Sequence, residues 1–354
     1  MTYIGMDMMG PRVEPSMIDI ENEGECTWLL SHIKQVEAVV KRLIETEGEL
    51  FRTKKVQGGE DAVGIDSVTG KQLKALLEAG CGSGCLMLPA VNMNPYVRVY
   101  HEASGRYAGV ICSGEKTIYE KVNGLNQVVS DIRASLSKNE MRSIEKRHER
   151  ARAKRHDSAS RYMESFRQSY ARITCVRIDL GFRKGKFVES EDFLGDLEIV
   201  KYYWRQMRQD LTKGVPISGM IGFVVRLEYG VLTGYHLHGL FIFDGSRRQQ
   251  DILLSQAIGE HWINQVVPNG AGRYYNCNRN KERYRHLGIG VINYYEELKY
   301  QALKDLVIDY MVKPDFSLEY IAPRERTMFR GKMPRCSPSN RKGRPRKKLI
   351  HGDH

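Results

Sequence analysis

No apolar run in this chain approaches the roughly 18 residues that a membrane-spanning helix needs. The opening segment, Met1 to Pro15, mixes Asp7, Arg12 and Glu14 into mildly apolar surroundings, which is not the pattern of a secretory signal. Cysteine is scarce: seven residues (26, 81, 85, 112, 175, 277 and 336), scattered and odd in number, which fits free thiols in a reducing cytoplasm. Cys81 and Cys85 resemble half a zinc site, but no second pair at zinc spacing is present, and a turn with two spare thiols is expected. The first 130 residues carry no chemical motif and read as a small accessory region.

Acidic residues are also in short supply, and the deficit is concentrated. The chain carries +12 overall. From Ile321 to His354 eleven Lys or Arg face only Glu325 and Asp353, a net +9. Met141 to Ile173 holds ten basic residues against four acidic ones, or +6. Phosphates neutralised by such charge release their counterions, so a polyanion, nucleic acid above all, is the expected partner. No membrane partner is expected.

Hydrophobic spacing predicts helices over 27–52, 66–77, 138–172, 192–209, 251–267 and 291–313, the last with Leu298, Ala302, Leu306 and Tyr310 along one stripe. Strand-like pieces stand at 97–100 and 107–111. Clearer strands cover 173–180, 219–228, 235–243 and 273–278, the middle two joined as a hairpin. The resulting fold class is α+β, with a central, largely antiparallel sheet of about five strands flanked by helices. The expected division is an accessory region 1–130, a basic helical linker 131–165, a sheet domain 166–330 and a basic, disordered tail 331–354.

Within the strand 235–243, His236 and His238 stand two apart and therefore share a face with Leu240 and Ile242, while Tyr235, Leu237, Phe241 and Phe243 line the other. So apolar a strand belongs in the middle of a sheet, and two imidazoles there suit a metal ion. Glu228 ends the partner strand, where a hairpin can bring its carboxylate near His236. Two imidazoles and one carboxylate leave open positions, as catalytic metal sites do. Downstream, Tyr310 and Lys313 are three apart on a helix, so a hydroxyl and an ammonium can reach one phosphate. A tyrosine with its usual pKa near 10 needs a cation nearby to act as a nucleophile. The strand at 173–180 carries Arg177 and Asp179, to which no role attaches.

Glu228, the short turn, His236-Leu237-His238 and Tyr310-x-x-Lys313 together resemble the HUH endonucleases, named for histidine-hydrophobic-histidine, which include rolling-circle replication initiators. Leu227-Glu-Tyr-Gly230, Phe243-Asp-Gly-Ser246, Ile258-Gly-Glu-His-Trp262, Tyr274-Tyr-Asn-Cys-Asn278, Gly288-Ile-Gly290 and Gly343-Arg-Pro-Arg346 extend the likeness. Over about residues 160 to 348 the chain is similar to the YagK/YfjJ-type C-terminal domain of inovirus gene-two-like replication proteins and their prophage relatives. The resemblance implies an HUH/RRM-like palm with His236, His238 and Glu228 holding Mg²⁺ or Mn²⁺. It further implies Tyr310 as the nucleophile forming a 5′-phosphotyrosine, with Lys313 as its electrostatic helper.

The implied substrate is a single-stranded or hairpin origin in the cytoplasm of a bacterial host, with a host helicase or polymerase as further partner. Arg341, Lys342, Arg344, Arg346, Lys347 and Lys348 would bind DNA, and Gly-Arg-Pro among basic residues suits an A·T-rich minor groove. No second tyrosine stands three or four residues from Tyr310, so a one-tyrosine mechanism is implied. The alternative is a non-catalytic prophage regulator that binds DNA on the same fold. A tyrosine recombinase does not fit, because no arginine-histidine-arginine constellation surrounds Tyr310.

Overall fold

The computed structural model describes residues 23–80, 94–183, 192–230, 233–313, 318 and 325–334. Its first part comprises α1 (Glu23–Glu45), the antiparallel hairpin β1 (Phe51–Lys55) and β2 (Asp61–Ile65), α2 (Val68–Gly80), α3 (Pro95–Ile111) and α4 (Ile118–Ser135). The expected helix over 27–52 stops at Glu45, and Gly58 and Gly59, both at positive φ, turn the hairpin beyond it. The strand-like pieces at 97–100 and 107–111 both lie in α3. Pro95 sits in its first turn, and Asn94 caps it by accepting from the Tyr96 and Val97 backbone N–H groups. Tyr96, Tyr100 and Ala103 then fall on one buried stripe, and this packing overrides the β-propensity of the Val-Arg-Val-Tyr run.

Helix α5 (Lys138–Ser169) starts in a capping box between Ser137 and Glu140 and runs without a break from one core to the next. Met141 packs with α1 to α4, whereas Ala159, Tyr162, Met163 and Phe166 pack beneath the main sheet.

That sheet is made of β3 (Arg172–Phe182), β4 (Met220–Gly230), β5 (Gly234–Asp244), β6 (Gly272–Asn276), β7 (Gly290–Asn293) and β8 (Met328–Arg330). Among the described residues it has six strands in the order β6-β3-β5-β4-β8, with β7 pairing the start of β3, and every pairing is antiparallel. β5 lies in the middle. Its two faces divide as the alternation requires: Tyr235, Leu237, Phe241 and Phe243 pack with α6 (Phe193–Lys213) and α7 (Asp251–His261), and Leu240 and Ile242 with α5. The strand expected at 273–278 ends at Asn276, where a 3₁₀ segment, Cys277–Arg283, begins.

The helix predicted over 291–313 begins late, because Val291 and Ile292 belong to β7. It comprises α8 (Glu297–Ala302), a π-helical stretch (Leu303–Ile308) and α9 (Asp309–Val312). The expected stripe through Leu298 is not the side that faces the sheet. Leu298 is 88% exposed, while Tyr300, Leu303, Val307 and Met311 form the side that packs on the sheet. Gly288 fixes how close this helix can come. A Cβ there would lie 2.6 Å from the backbone carbon of Ala302 and the nitrogen of Leu303. Backbone cannot step aside as a side chain can, so Gly288→Ala is expected to cost about 1–3 kcal/mol and to shift α9. A lower urea midpoint checks the first effect, and loss of any activity that depends on Tyr310 checks the second.

Cys175 and Cys277 are free and buried. Cys112 is disulfide-bonded, which corrects the expectation that every thiol is free: an odd, scattered set does not exclude one pair. Cys81, Cys85 and the tail lie outside the described residues. Among the described residues no helix is long and apolar enough to cross a membrane.

Candidate metal centre

Three neighbouring strands each present a pair of polar residues, two apart, on the face turned toward α5 and α9: Arg177 and Asp179 on β3, His236 and His238 on β5, Arg226 and Glu228 on β4. The register aligns them in rows. Asp179 and Arg226 flank His238, and Glu228 stands opposite His236. All but His236 are buried, and charges so placed persist only when paired.

The ligand atoms of Glu228, His236 and His238 lie within 4.8 Å of one another, so this group could hold a metal ion. The Glu228 Oε2 oxygen is 3.2 Å from His238 Nε2 and 3.9 Å from His236 Nε2. Both rings are oriented through their far nitrogens. His236 Nδ1 donates to the Gly234 carbonyl at 3.0 Å, and His238 Nδ1 donates to Asp179 Oδ1 at 2.5 Å. Each ring therefore turns Nε2 toward the carboxylate, the usual way a second partner prepares an imidazole ligand. The other Glu228 oxygen, Oε1, is buried and accepts no hydrogen bond among the described residues, with Arg226 Nε standing 4.0 Å away. A buried carboxylate oxygen left so is what a cation would satisfy, and the donor set fits one.

Electrostatics point the same way. Burial alone would raise the Glu228 carboxyl, but the charge and hydrogen bond of His238, then Lys313 and His236, hold it well below the usual carboxylate range. Burial and the neighbouring His238 push His236 down to about 4. Burial opposes the charge on His238, yet Asp179 and Glu228 on either side outweigh it and raise the ring to about 9.

α9 delivers Tyr310 and Lys313 to this group. The Tyr310 ring stands edge-on to His238 with centroids 5.4 Å apart. The Lys313 ammonium lies 3.9 Å from the Tyr310 centroid and the Arg177 guanidinium 5.5 Å. Negative charge developing on this ring would thus have two cations close by. α9 is held by α5: Arg152 clamps Asp309 at 2.6 and 2.7 Å, and Arg155 reaches the Val312 carbonyl at 3.5 Å.

The five residues singled out as ligands, nucleophile and helper therefore converge on one place. Arg341, Lys342, Arg344, Arg346, Lys347 and Lys348 lie outside the described residues. Missed by sequence reasoning were Arg177, Asp179 and Arg226. Arg177 forms an ion pair with Asp179, its Nη2 is 2.9 Å from His238 Nδ1, and Arg226 donates to the Thr327 hydroxyl. Their signal was present: Arg177-Ile-Asp179 and Arg226-Leu-Glu228 repeat the polar-apolar-polar pattern of His236-Leu-His238 in adjacent strands.

No family model matches the chain, and none of the curated proteins or solved structures compared with it matches either.

Proposed function

We propose that this protein is a metal-dependent nickase of single-stranded or hairpin DNA, a replication initiator of a phage or prophage, that acts through Tyr310. One observation carries the reading: a tyrosine flanked by two cations stands edge-on to a histidine of a three-ligand group on the same sheet face. A divalent ion held by Glu228, His236 and His238 would polarise the scissile phosphate. Two imidazole donors favour Mn²⁺ over Mg²⁺, which prefers oxygen ligands.

The chain's own residues do the rest. The Tyr310 oxygen gives up its proton to solvent and bonds to phosphorus, the P–O3′ bond breaks, and the departing 3′-oxygen takes up a proton. The products are a 5′-phosphotyrosine and a free 3′-hydroxyl. Lys313 and Arg177 stabilise the phenolate as it forms and the phosphate as charge builds on it. Arg152, through Asp309, keeps α9 in place while this happens. The charge excess along α5, where Lys146, Arg150 and Lys154 are exposed, supports a polyanionic substrate.

The test is incubation with end-labelled single-stranded DNA and Mn²⁺, followed by a denaturing gel. A protein-linked, Mn²⁺-dependent product absent in His236→Ala is expected. Tight DNA binding with no cleavage under any divalent ion would sink this reading in favour of the non-catalytic regulator.

A further inference from the structure

Helix α5 has two unlike sides. One is buried, through Met141, His148, Ala159, Tyr162, Met163 and Phe166, and the same side brings Arg152 to α9. The other holds Arg147, Arg150, Lys154 and Arg161, all exposed. They are spaced three, four and seven apart, which at 3.6 residues per turn makes one row along the helix. At 1.5 Å per residue the row is about 21 Å long.

Charge elsewhere on α5 is balanced within the fold. Lys138 meets Glu45 at 2.5 Å, Glu145 meets Lys41 at 3.3 Å, and Arg152 meets Asp309 at 2.6 Å. The row is not balanced in this way. Among the described residues Arg147, Arg150 and Lys154 enter no ion pair. Glu149, the nearest acid in sequence, is two residues from Arg147 and one from Arg150, so it does not face them. Asp157, the one acid in the row, is taken by Arg161 at 2.6 Å.

Arg147 and Arg150 are three apart, and Arg150 stands four from both Lys146 and Lys154. Like charges at these spacings repel and weaken a helix. The edge strand β8 adds to the excess: Arg330 Nε donates to Ser158 Oγ at 3.2 Å, one turn beyond Lys154. A polyanion laid along the row relieves that repulsion.

What the row lacks identifies the polyanion. No Phe, Tyr or Trp stands between residues 143 and 161, so there is no such ring on which an unpaired base could stack, as binders of single strands require. No large apolar residue is exposed on α5 to enter a lipid surface, since its apolar side is already buried. What remains is a rigid line of positive charge, suited to contact with phosphates alone. Its length of about 21 Å exceeds the width of a major groove, about 12 Å, so it can meet both strands of a duplex.

We propose that Arg147, Arg150, Lys154 and Arg161 form a docking row for duplex DNA, binding its phosphates without regard to sequence. The stem of a hairpin is such a duplex; that link rests on the nicking reading, whereas the row rests on its own unpaired charge.

The experiment measures binding in EDTA, over a range of salt, of a fluorescent duplex of about 20 base pairs and of oligodeoxythymidine of equal length. The full chain is compared with the variant Arg147→Gln/Arg150→Gln/Lys154→Gln. The control is Arg205→Gln/Arg208→Gln/Lys213→Gln, which removes the same charge from exposed positions of α6, on the other face of the sheet. At about 0.1 M salt the row variant is expected to bind the duplex at least about tenfold more weakly, with the log–log salt slope reduced by about 2.7, the share of three phosphates. Its loss for the single strand is expected to stay within about threefold, and the α6 variant to stay within about twofold of wild type on both probes. The urea midpoint of the row variant should equal or exceed that of the wild type, because like charges are removed.

If the row variant binds the duplex as the wild type does, or the α6 variant falls as far, the row is wrong. Equal loss of single strand and duplex overturns the duplex assignment. A wild type that ignores the duplex but binds phosphatidylserine vesicles overturns it too, in favour of a lipid surface. If duplex binding depends on the row while the wild type forms no covalent product with Mn²⁺, the row stands and the nicking reading falls.

Discussion

Tyr310→Phe is expected to remove the covalent protein–DNA product altogether, a loss of at least about a thousandfold, while binding of the strand stays within about twofold. The substitution deletes one oxygen and keeps the ring. Tyr310 is half-buried, and its ring contacts with His238, Lys313 and Arg177 do not require the hydroxyl. Phe keeps that packing, so α9 should hold its position. The measurement is a denaturing gel with labelled strand, run beside a filter-binding titration. If Tyr310→Phe still forms the adduct, another residue is the nucleophile. If it loses binding as well as the adduct, Tyr310 serves recognition rather than chemistry.

Asp179→Asn should produce the second large effect, through two routes that can be separated. Asp179 is 0% exposed and pairs with both Arg177 and His238. Removing its charge while leaving Arg177 buried is expected to cost about 3–5 kcal/mol of stability, the usual result of breaking one side of a buried ion pair. It also removes the anion that orients His238, which should weaken Mn²⁺ binding by about 10- to 100-fold. Chemical unfolding in EDTA reads the first effect and Mn²⁺ titration of folded protein reads the second. Arg177→Met combined with Asp179→Leu gives the control, because removing both charges should cost less stability than removing one. A variant with unchanged Mn²⁺ affinity would show that Asp179 only balances Arg177.

Much of this site was legible because a strand's period of two is a local property. Alternation alone put His236 and His238 on one face of β5 and the aromatic residues on the other, and put Cys175 and Arg177 opposite Val176 and Ile178 on β3. The hairpin between β4 and β5 is nearly as local, and it placed Glu228 across from His236. Local reasoning failed where packing outweighs propensity. Val97-Arg-Val-Tyr100 is β-prone in isolation, yet it is helical because Asn94 and Pro95 start a helix there and Tyr96 and Tyr100 find a core. The stripe through Leu298 failed because spacing alone does not say which side of a helix meets the sheet, and here Tyr300, Leu303, Val307 and Met311 do.

The sequence by itself determined which residues share a face within each strand, and with that the three-ligand pattern and its tyrosine-bearing helix. Only the tertiary structure decided which strands lie side by side. β3 is remote from β5 in sequence, and a register one residue different would turn Asp179 away from His238. That register is held by apolar packing on both faces of β3, summed over the whole sheet, and no short segment contains it. The charges on Arg177, Asp179 and Arg226 could therefore be read as polar residues in strands, but not as partners of a histidine, until the sheet was assembled.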